Sequence, residues 1–377
     1  MSLFLSRLRL GKEGLVRRSS LLILSNGLSS SSLHQTPPCN ILGAKPCGEG
    51  LGKLIIKNAN ERDPTELEKK VPMELVYNNH GNDTIVGASH GWIATLKDDG
   101  ILRLQDDLNP YASYTEPKHI PLPPLVTMRH CQTKIVTNVS MSSSCPDDDE
   151  NCVVAAKFLG AQLSFCKPAS QSSKPEWTNI RIKNPCFYSS RVVFSKKEEM
   201  FRILGYGGHL MGSWDPCKPS EDPKLQILHF QKIPKLPKAT RELMDSCCKS
   251  EHLVESPAAG ETFLVKMYRK TSEISKGGIA KMRTRALMVF KIDEEGNAVY
   301  TQDIGDLVIF LSDSEPFCAP AASFPGLHSN HVEFLEAFNE VAYIDLSGHA
   351  FISYIDSHFP AYYIPPQNIE KQFGIDG

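Results

Sequence analysis

No stretch of this chain approaches the roughly 18 consecutive apolar residues that a membrane-spanning helix needs, so no such span is encoded. Cysteine pairs two to four residues apart are missing too. Cys247 and Cys248 with His252, or Cys145 with Cys152, lack the C-x2–4-C knuckle that lets two thiolates share one tetrahedral ion, and adjacent cysteines cannot easily do so, which argues against zinc. A Lys/Arg stripe interleaved with aromatics is also lacking, so the chain offers no footprint for a phosphate backbone and no nucleic-acid partner is expected. The 11 cysteines are an odd number scattered through a chain too long to need staples, and they read as reduced thiols rather than a disulfide framework. Acid is scarce at the start: residues 1–48 carry six Lys/Arg against Glu13 alone, a net of +5, which leaves −7 for the remainder of a chain whose total is −2.

That basic start is rich in Arg, Leu and Ser, the composition of an organelle-import presequence. On a helix, Phe4, Leu8 and Leu15 share one face and Arg7, Arg17 and Arg18 lie off it, although Leu3 and Leu10 break the pattern. A secretory signal needs a longer apolar core than Leu21 to Leu24, which is followed by polar Ser25, Asn26 and a serine run. The spread of arginines points to the mitochondrion, with the plastid as the alternative. The sequons at Asn82 and Asn138 would matter only on a secretory route.

From Leu54 onward, short β-type runs recur every 8 to 15 residues between turn residues. Residues 93–96, Asp98-Asp99-Gly100 and 101–104 read as a hairpin in which Asp-Gly supplies a primed turn. The segments 285–292, 293–296 and 297–300 repeat that pattern. Further strands are expected at 134–139, 152–158, 162–166, 177–182, 192–194, 225–230, 262–268, 307–311, 340–345 and 350–354. Only 239–249 and 368–373 read as helical. So many antiparallel strands must dispose of their sheet edges, and a propeller of six or seven blades of about 40 to 50 residues does so in one domain. Polar interruptions at 142–151, 169–176, 216–223 and 270–278 read as surface loops.

Gly87-Ala88-Ser89-His90-Gly91 fits the G-x-S-x-G pattern of a hydrolase nucleophile elbow, but a strand beginning at Trp92 follows it, not the helix the elbow requires. Gly87 and Gly91 read instead as bend or close-approach positions, with His90 bonding between strands and Trp92 filling the core. Gly205-Tyr206-Gly207-Gly208 has no phosphate-cradle register, and the Trp214-Asp215 dipeptide stands too near Gly208-His209 for a WD-type blade, so a blade-edge or loop role is expected. Asp147-Asp148-Asp149-Glu150 reads as a solvated run, and His328, His331 and Asp345 as polar groups without assigned roles.

Several stretches resemble the plant DUF295 domain: Gly87-Ala88-Ser89-His90-Gly91-Trp92; Ile120-Pro121-Leu122-Pro123-Pro124-Leu125; His252-Leu253-Val254-Glu255-Ser256; Ile304-Gly305-Asp306-Leu307; and Phe324-Pro325-Gly326-Leu327 with Asn330. The resemblance implies a β-propeller-like domain. Ser89, His90, Gly91, Trp92, Gly305, Asp306, Pro325, Gly326 and Asn330 are its family-motif residues, with structural roles. Many relatives carry an F-box that recruits a ubiquitin-ligase scaffold. Here Val71-Pro72-Met73-Glu74-Leu75 faintly echoes an F-box opening, but Gly87 follows too soon for three helices. A presequence without an F-box resembles the organellar branch of that family.

The expected organisation is a cleaved, disordered transit peptide at 1–36, a linker at 37–50, an all-β propeller-like domain at 51–365 and a tail at 366–377. The expected function is a non-catalytic binding or scaffold protein with an organellar protein partner, without catalytic, cofactor-binding or metal residues. The alternatives are an enzyme with its site in the propeller channel and an F-box-type substrate adaptor lacking its ligase-binding arm.

Overall fold

Apolar runs form the middle strands of this molecule because both their faces are covered, and mixed runs form the outer strands. The computed structural model describes residues 34–369 apart from 62, 78–83, 132, 170–173, 257–259, 275–279, 336–340, 349–350 and 355–361. Residues 37–367 form one unit containing six antiparallel or mixed sheets. A second unit holds β1 (His34–Gln35) and β28 (Asn368–Ile369), an antiparallel pair in which Gln35 donates to Asn368 Oδ1 at 3.2 Å.

The six sheets are the blades of a propeller. Blade 1 comprises β2 (Cys39–Gly48), β3 (Leu51–Asn58) and β4 (Thr65–Pro72), the last running into the single turn α1 (Met73–Val76). Blade 2 is β5 (Thr84–Ser89), β6 (Trp92–Leu96), β7 (Ile101–Gln105) and β8 (His119–Pro124). Blade 3 is β9 (Val136–Met141), β10 (Val154–Phe158), β11 (Gln162–Cys166) and β12 (Thr178–Arg181). Blade 4 is β13 (Val192–Ser195), β14 (Met200–Leu204), β15 (Leu210–Trp214) and β16 (Lys224–Ile227). In blade 5, β17 (His229–Gln231) and α2 (Lys238–Asp245) precede the meander β18 (Cys248–Ser256), β19 (Glu261–Ile274), β20 (Ala280–Ile292) and β21 (Asn297–Thr301). The strand β17 then lies parallel to β21 on the blade's outer edge. Blade 6 holds β22 (Leu307–Leu311), β23 (Phe317–Pro320), β24 (His331–Leu335), β25 (Val341–Asp345) and β26 (Phe351–Tyr354). Finally β27 (Tyr363–Ile364) returns to blade 1 and pairs with β2, Cys39 opposite Ile364. The ring is thus closed by main-chain bonds between its two chain ends, which removes two open edges at once.

One buried apolar cluster lies at each of the six blade interfaces. Ile41, Leu54 and Ile93 join blades 1 and 2; Leu104, Val139 and Phe158 join 2 and 3; Leu163, Phe201 and Trp214 join 3 and 4. Leu204, Leu264 and Phe290 join blades 4 and 5, Phe263, Ile309 and Phe334 join 5 and 6, and Phe310 with Tyr363 joins 6 and 1. Sandwiching explains why β10, β11 and β22 are buried at every residue while the edge strand β16 is largely exposed.

Two fully buried lysines latch neighbouring segments through backbone carbonyls. Lys157 donates to the carbonyls of Phe158, Gly160 (3.0 Å) and Tyr188 (3.0 Å), tying blade 3 to the approach of blade 4. Lys69 donates to Asn109 O at 2.7 Å and Ala112 O at 3.3 Å, tying blade 1 to blade 2. Burial pushes these ammonium groups down to about 7 and about 8 respectively, while the carbonyl cages favour their protonated forms.

The structure corrects several sequence expectations. The stretch 37–50 is not a linker, since Cys39–Gly48 is a ladder-bonded strand of blade 1. Asn368 and Ile369 are extended and paired, not helical, because β1 offers a strand partner that a short helix cannot match; residues 370–373 lie outside the described set. The expected helix at 239–249 ends at Asp245, and Cys248 onward belongs to β18. The Asp98-Asp99-Gly100 connection is not a primed turn: only Gly100 has positive φ (74°), and its N–H donates to Lys97 O at 3.0 Å, a type I turn closed by a left-handed glycine. The primed geometry occurs instead at His90-Gly91 (φ 52° and 86°), between paired Ser89 and Trp92. Val71–Leu75 covers the end of β4 and the turn of α1. The expected presequence, apart from residues 34–36, and the sequon at Asn82 lie outside the described residues.

Candidate functional site at the channel

In a propeller the innermost strand of each blade faces the central channel, and here β5, β9, β13, β18, β23 and β27 hold that place. Across it runs the connection from β22 to β23, Ser312-Asp313-Ser314-Glu315-Pro316. This loop leaves blade 6 and bonds to blades 2, 3 and 4. Ser314 bridges Ala88, Glu315 N donates to Ala88 O at 2.7 Å, and Arg191 donates to Ser312 O at 3.1 Å and Asp313 Oδ1 at 3.2 Å.

Glu315 is the hub. Its Oε2 accepts from Ser89 Oγ at 2.5 Å, and its Oε1 accepts from Ser140 Oγ at 2.7 Å and Phe194 N at 3.0 Å. These three donors come from the inner strands of three blades, so one carboxyl group ties β5, β9 and β13 together. Burial raises the Glu315 carboxyl above its usual range, and the donors oppose that shift. His90 Nδ1 lies 2.9 Å from Ser89 Oγ, and burial plus the Lys196 charge pushes its imidazole down to about 4. With its one proton given to Glu315, Ser89 Oγ accepts from Met141 N at 3.3 Å and from His90 Nδ1–H.

That order differs from a hydrolytic triad. Catalysis needs histidine between serine and carboxylate so that it can take the hydroxyl proton. Here serine stands in the middle, buried, with its proton directed to the acid. The G-x-S-x-G segment is a hairpin tip, as its following strand requires. Gly87 lies so close to β9 that a Cβ would stand 2.9 Å from Val139 N, and a Cβ on Gly91 would overlap Gln367 Nε2. Trp92 is buried and donates to Ser144 O at 2.9 Å.

The remaining motif residues gather at the approach to blade 6. Gly305 has φ 68°, and the Asp306 carboxylate accepts from Ala322 N at 3.1 Å while its carbonyl accepts from Ala321 N at 2.7 Å. Asn330, itself left-handed at φ 61°, accepts from Ile304 N at 2.9 Å and donates to Gln302 O at 3.0 Å. Pro325 and Gly326 lie between β23 and β24, and Gly326 passes against the turn after β3, where a Cβ would overlap the carbonyl of Ala59. These contacts brace two chain segments and are separate from the Glu315 network.

Elsewhere, Gly205–His209 forms the turn between β14 and β15, and Trp214 lies in a central strand, buried edge-to-face on Phe187. Asn138 is buried and bonds the backbone of Val192 from both ends of its amide, at 2.7 and 2.9 Å. The acidic run is not merely self-repelling, because Lys118 pairs with Asp147 and with Asp148 (3.6 Å). All 11 cysteines are free thiols. Among the described residues no group of three His, Cys, Asp or Glu is arranged to hold a metal ion, and no helix is long and apolar enough to cross a membrane.

The KIB1-4 β-propeller family model matches residues 64–356, most of the ring. The chain belongs to the KIB1-4 β-propeller family. No curated protein matches the chain. Among solved structures it is similar to a protein of unknown function from Bacteroides thetaiotaomicron, with 9% identity, 82% of this chain and 71% of that chain covered, and a TM-score of 0.35. A putative 6-phosphogluconolactonase from Bacteroides fragilis gives 10% identity, 89% and 100% coverage and a TM-score of 0.37. The major allergen Mala s 1 of Malassezia sympodialis gives 9% identity, 83% and 85% coverage and 0.35. None of these three bears on what the KIB1-4 propeller does.

Glu315, the centre of the network, was not a candidate on sequence. Its partners lie 121 to 226 positions away in the chain. The available signal was a polar pentapeptide between two apolar strands, which a tight hairpin alone does not require.

Proposed function

We propose that this KIB1-4 propeller is a non-catalytic binding scaffold of the DUF295 type, without an F-box, that is imported into the mitochondrion and engages a protein partner through its loops. The observation that carries the non-catalytic reading is the bonding at the channel: Ser89, Ser140 and the Phe194 amide are all spent on Glu315, which fastens blades together. The Arg-, Leu- and Ser-rich segment at 1–36 supports import, with the plastid as the second address. Proximity labelling by the tagged full chain in isolated organelles tests both parts. Reproducible neighbours inside mitochondria are expected. Exclusively cytosolic neighbours refute the address, and a pull-down of a ubiquitin-ligase scaffold refutes the absence of a ligase arm.

A second reading, catalysis in the channel, is favoured by the convergence of Ser89, His90 and Glu315 with two shifted titrations. Covalent labelling of Ser89 by a fluorophosphonate, lost in Ser89→Ala, would establish it and overturn the scaffold reading.

A further inference from the structure

On the outer edge of blade 5 the chain runs for one short stretch outside any ladder. After β17 ends at Gln231, the sequence Lys232-Ile233-Pro234-Lys235-Leu236-Pro237 leads to Lys238, the first residue of α2. Each proline fixes its own φ and holds the residue before it in the extended or polyproline II region, so Ile233, Pro234, Leu236 and Pro237 are all restricted. Pro237 stands at φ −54° and ψ 150°, close to polyproline II values. The ends are fastened: Gln231 donates to Asn297 Oδ1 at 2.6 Å, Leu236 packs with Phe230 on the core between blades 4 and 5, and Arg241 N donates to Pro237 O at 3.1 Å. Among the described residues no main-chain hydrogen bond engages 233–236. The stretch is a pre-shaped ridge whose backbone is unpaired.

A polyproline II helix has three residues per turn, so a three-residue repeat sets like residues on one edge: Pro234 with Pro237, and Lys235 with Lys238, each pair about 9 Å apart. The third edge leans on the propeller through Leu236. Lys235, Pro237 and Lys238 are exposed, Pro234 is half-buried, and Ile233 is 55% exposed, a large apolar side chain left to water. The charge is one-sided as well. From Lys224 to Arg241 there are five Lys or Arg and no Asp or Glu, in a chain that is net acidic beyond residue 48. Lys238 reaches Glu242 at 3.7 Å, whereas Lys232 and Lys235 form no ion pair among the described residues. Elsewhere the chain sets acids beside its exposed lysines, as in Lys53–Glu68, Lys183–Asp222 and Lys197–Glu294.

We propose that residues 232–238 are a docking strip for a protein domain whose groove is lined by aromatic rings and rimmed by acids, the rings packing on Pro234 and Pro237 and the carboxylates meeting Lys232 and Lys235. Grooves of this kind take proline-rich ridges because the ridge is already ordered and little entropy is lost on binding. The lysines then select a partner of opposite charge. This inference rests on the scaffold reading and adds to it the class of partner and the place where it binds. A nucleic acid would use the lysines but not the spacing of the two prolines, and so is the less favoured occupant.

The test is surface plasmon resonance of the full chain over a panel of immobilised SH3 and WW domains, whose aromatic grooves differ in the charge of their rims. Binding by the acid-rimmed domains, weakened by added salt, is expected. Pro234→Ala with Pro237→Ala should weaken it about tenfold, since each exchange loses ring contact and a fixed φ. Lys232→Ala with Lys235→Ala should weaken it about fivefold and remove most of the salt dependence. Unchanged thermal unfolding confirms that both variants fold. Binding by no domain of the panel, or binding that survives the proline exchange, overturns the proposal. So does binding that depends on the lysines alone and is matched by a short DNA duplex, which would assign the strip to any polyanion. In proximity labelling, unchanged organellar neighbours for the proline variant also overturn it, while leaving the scaffold reading intact.

Discussion

Replacing Glu315 offers the sharpest test of how the ring is held together. In Glu315→Ala the Phe194 N–H loses its acceptor in an enclosed site, costing about 1–3 kcal/mol, and the two serine hydroxyls lose one bond each. Ser89 can turn its proton to His90, which recovers part of the loss. The net expectation is about 2–4 kcal/mol of destabilisation. Glu315→Gln should behave differently, because the amide oxygen can keep Ser140 and Phe194 while the amide N–H₂ meets Ser89 Oγ as an acceptor. Its cost at neutral pH should be under about 1 kcal/mol. The pH dependence has a definite sign. The folded carboxyl titrates above its ordinary value, so between that value and the raised one the native state binds more protons than the unfolded state. Wild-type stability from this group is therefore complete below the ordinary carboxyl range and falls as pH rises through the shifted one, whereas Glu315→Gln lacks this loss. Urea unfolding of the three proteins from pH 4 to 8 measures it. Equal midpoints for alanine and glutamine variants, or a gap between wild type and glutamine that moves the opposite way with pH, would refute the reasoning.

Three further outcomes follow from the same bonds. Lys157→Met keeps the buried stem but removes three bonds to carbonyls, of which Tyr188 O keeps the Gly160 N–H, and should lower stability by about 2–3 kcal/mol in thermal unfolding. Asn138→Ala removes both bonds to Val192 and should cost about 2 kcal/mol, and intact-mass measurement after secretory expression should find the native Asn138 without glycan, since its amide is buried. Gly326→Ala should force the turn away from Ala59 and destabilise by more than about 1 kcal/mol, whereas Gly260→Ala, where a Cβ meets nothing, should show only the smaller strain of its left-handed φ.

Much of the fold was legible because it depends on patterns a few residues long. The fully apolar run 307–311 coincides with β22 to the residue, since burial between blades favours nonpolar side chains on both faces, and the alternating run 162–166 coincides with β11, its Gln162 and Ser164 buried through hydrogen bonds. Turn glycines mark hairpin ends, as at Gly100, although the turn type depends on φ values that the Asp-Gly pair alone does not fix. Two segments are less legible. Cys39–Gly48 reads as a linker because Gly43, Lys45, Pro46 and Gly48 interrupt its apolar pattern, although its ladder runs mostly with the neighbouring β3. Asn368-Ile369 looked helical because nothing local shows that His34 and Gln35 lie opposite.

The sequence by itself determined the strand content, the propeller class and the strand that follows Gly91, because periodicity and turn chemistry are local properties. Only the tertiary structure decided that the blades number six, that the ring closes through β27, and that Glu315 joins three of them. Each of those depends on which distant segments meet, and a carboxylate's worth in a core is set by the donors brought to it from other blades.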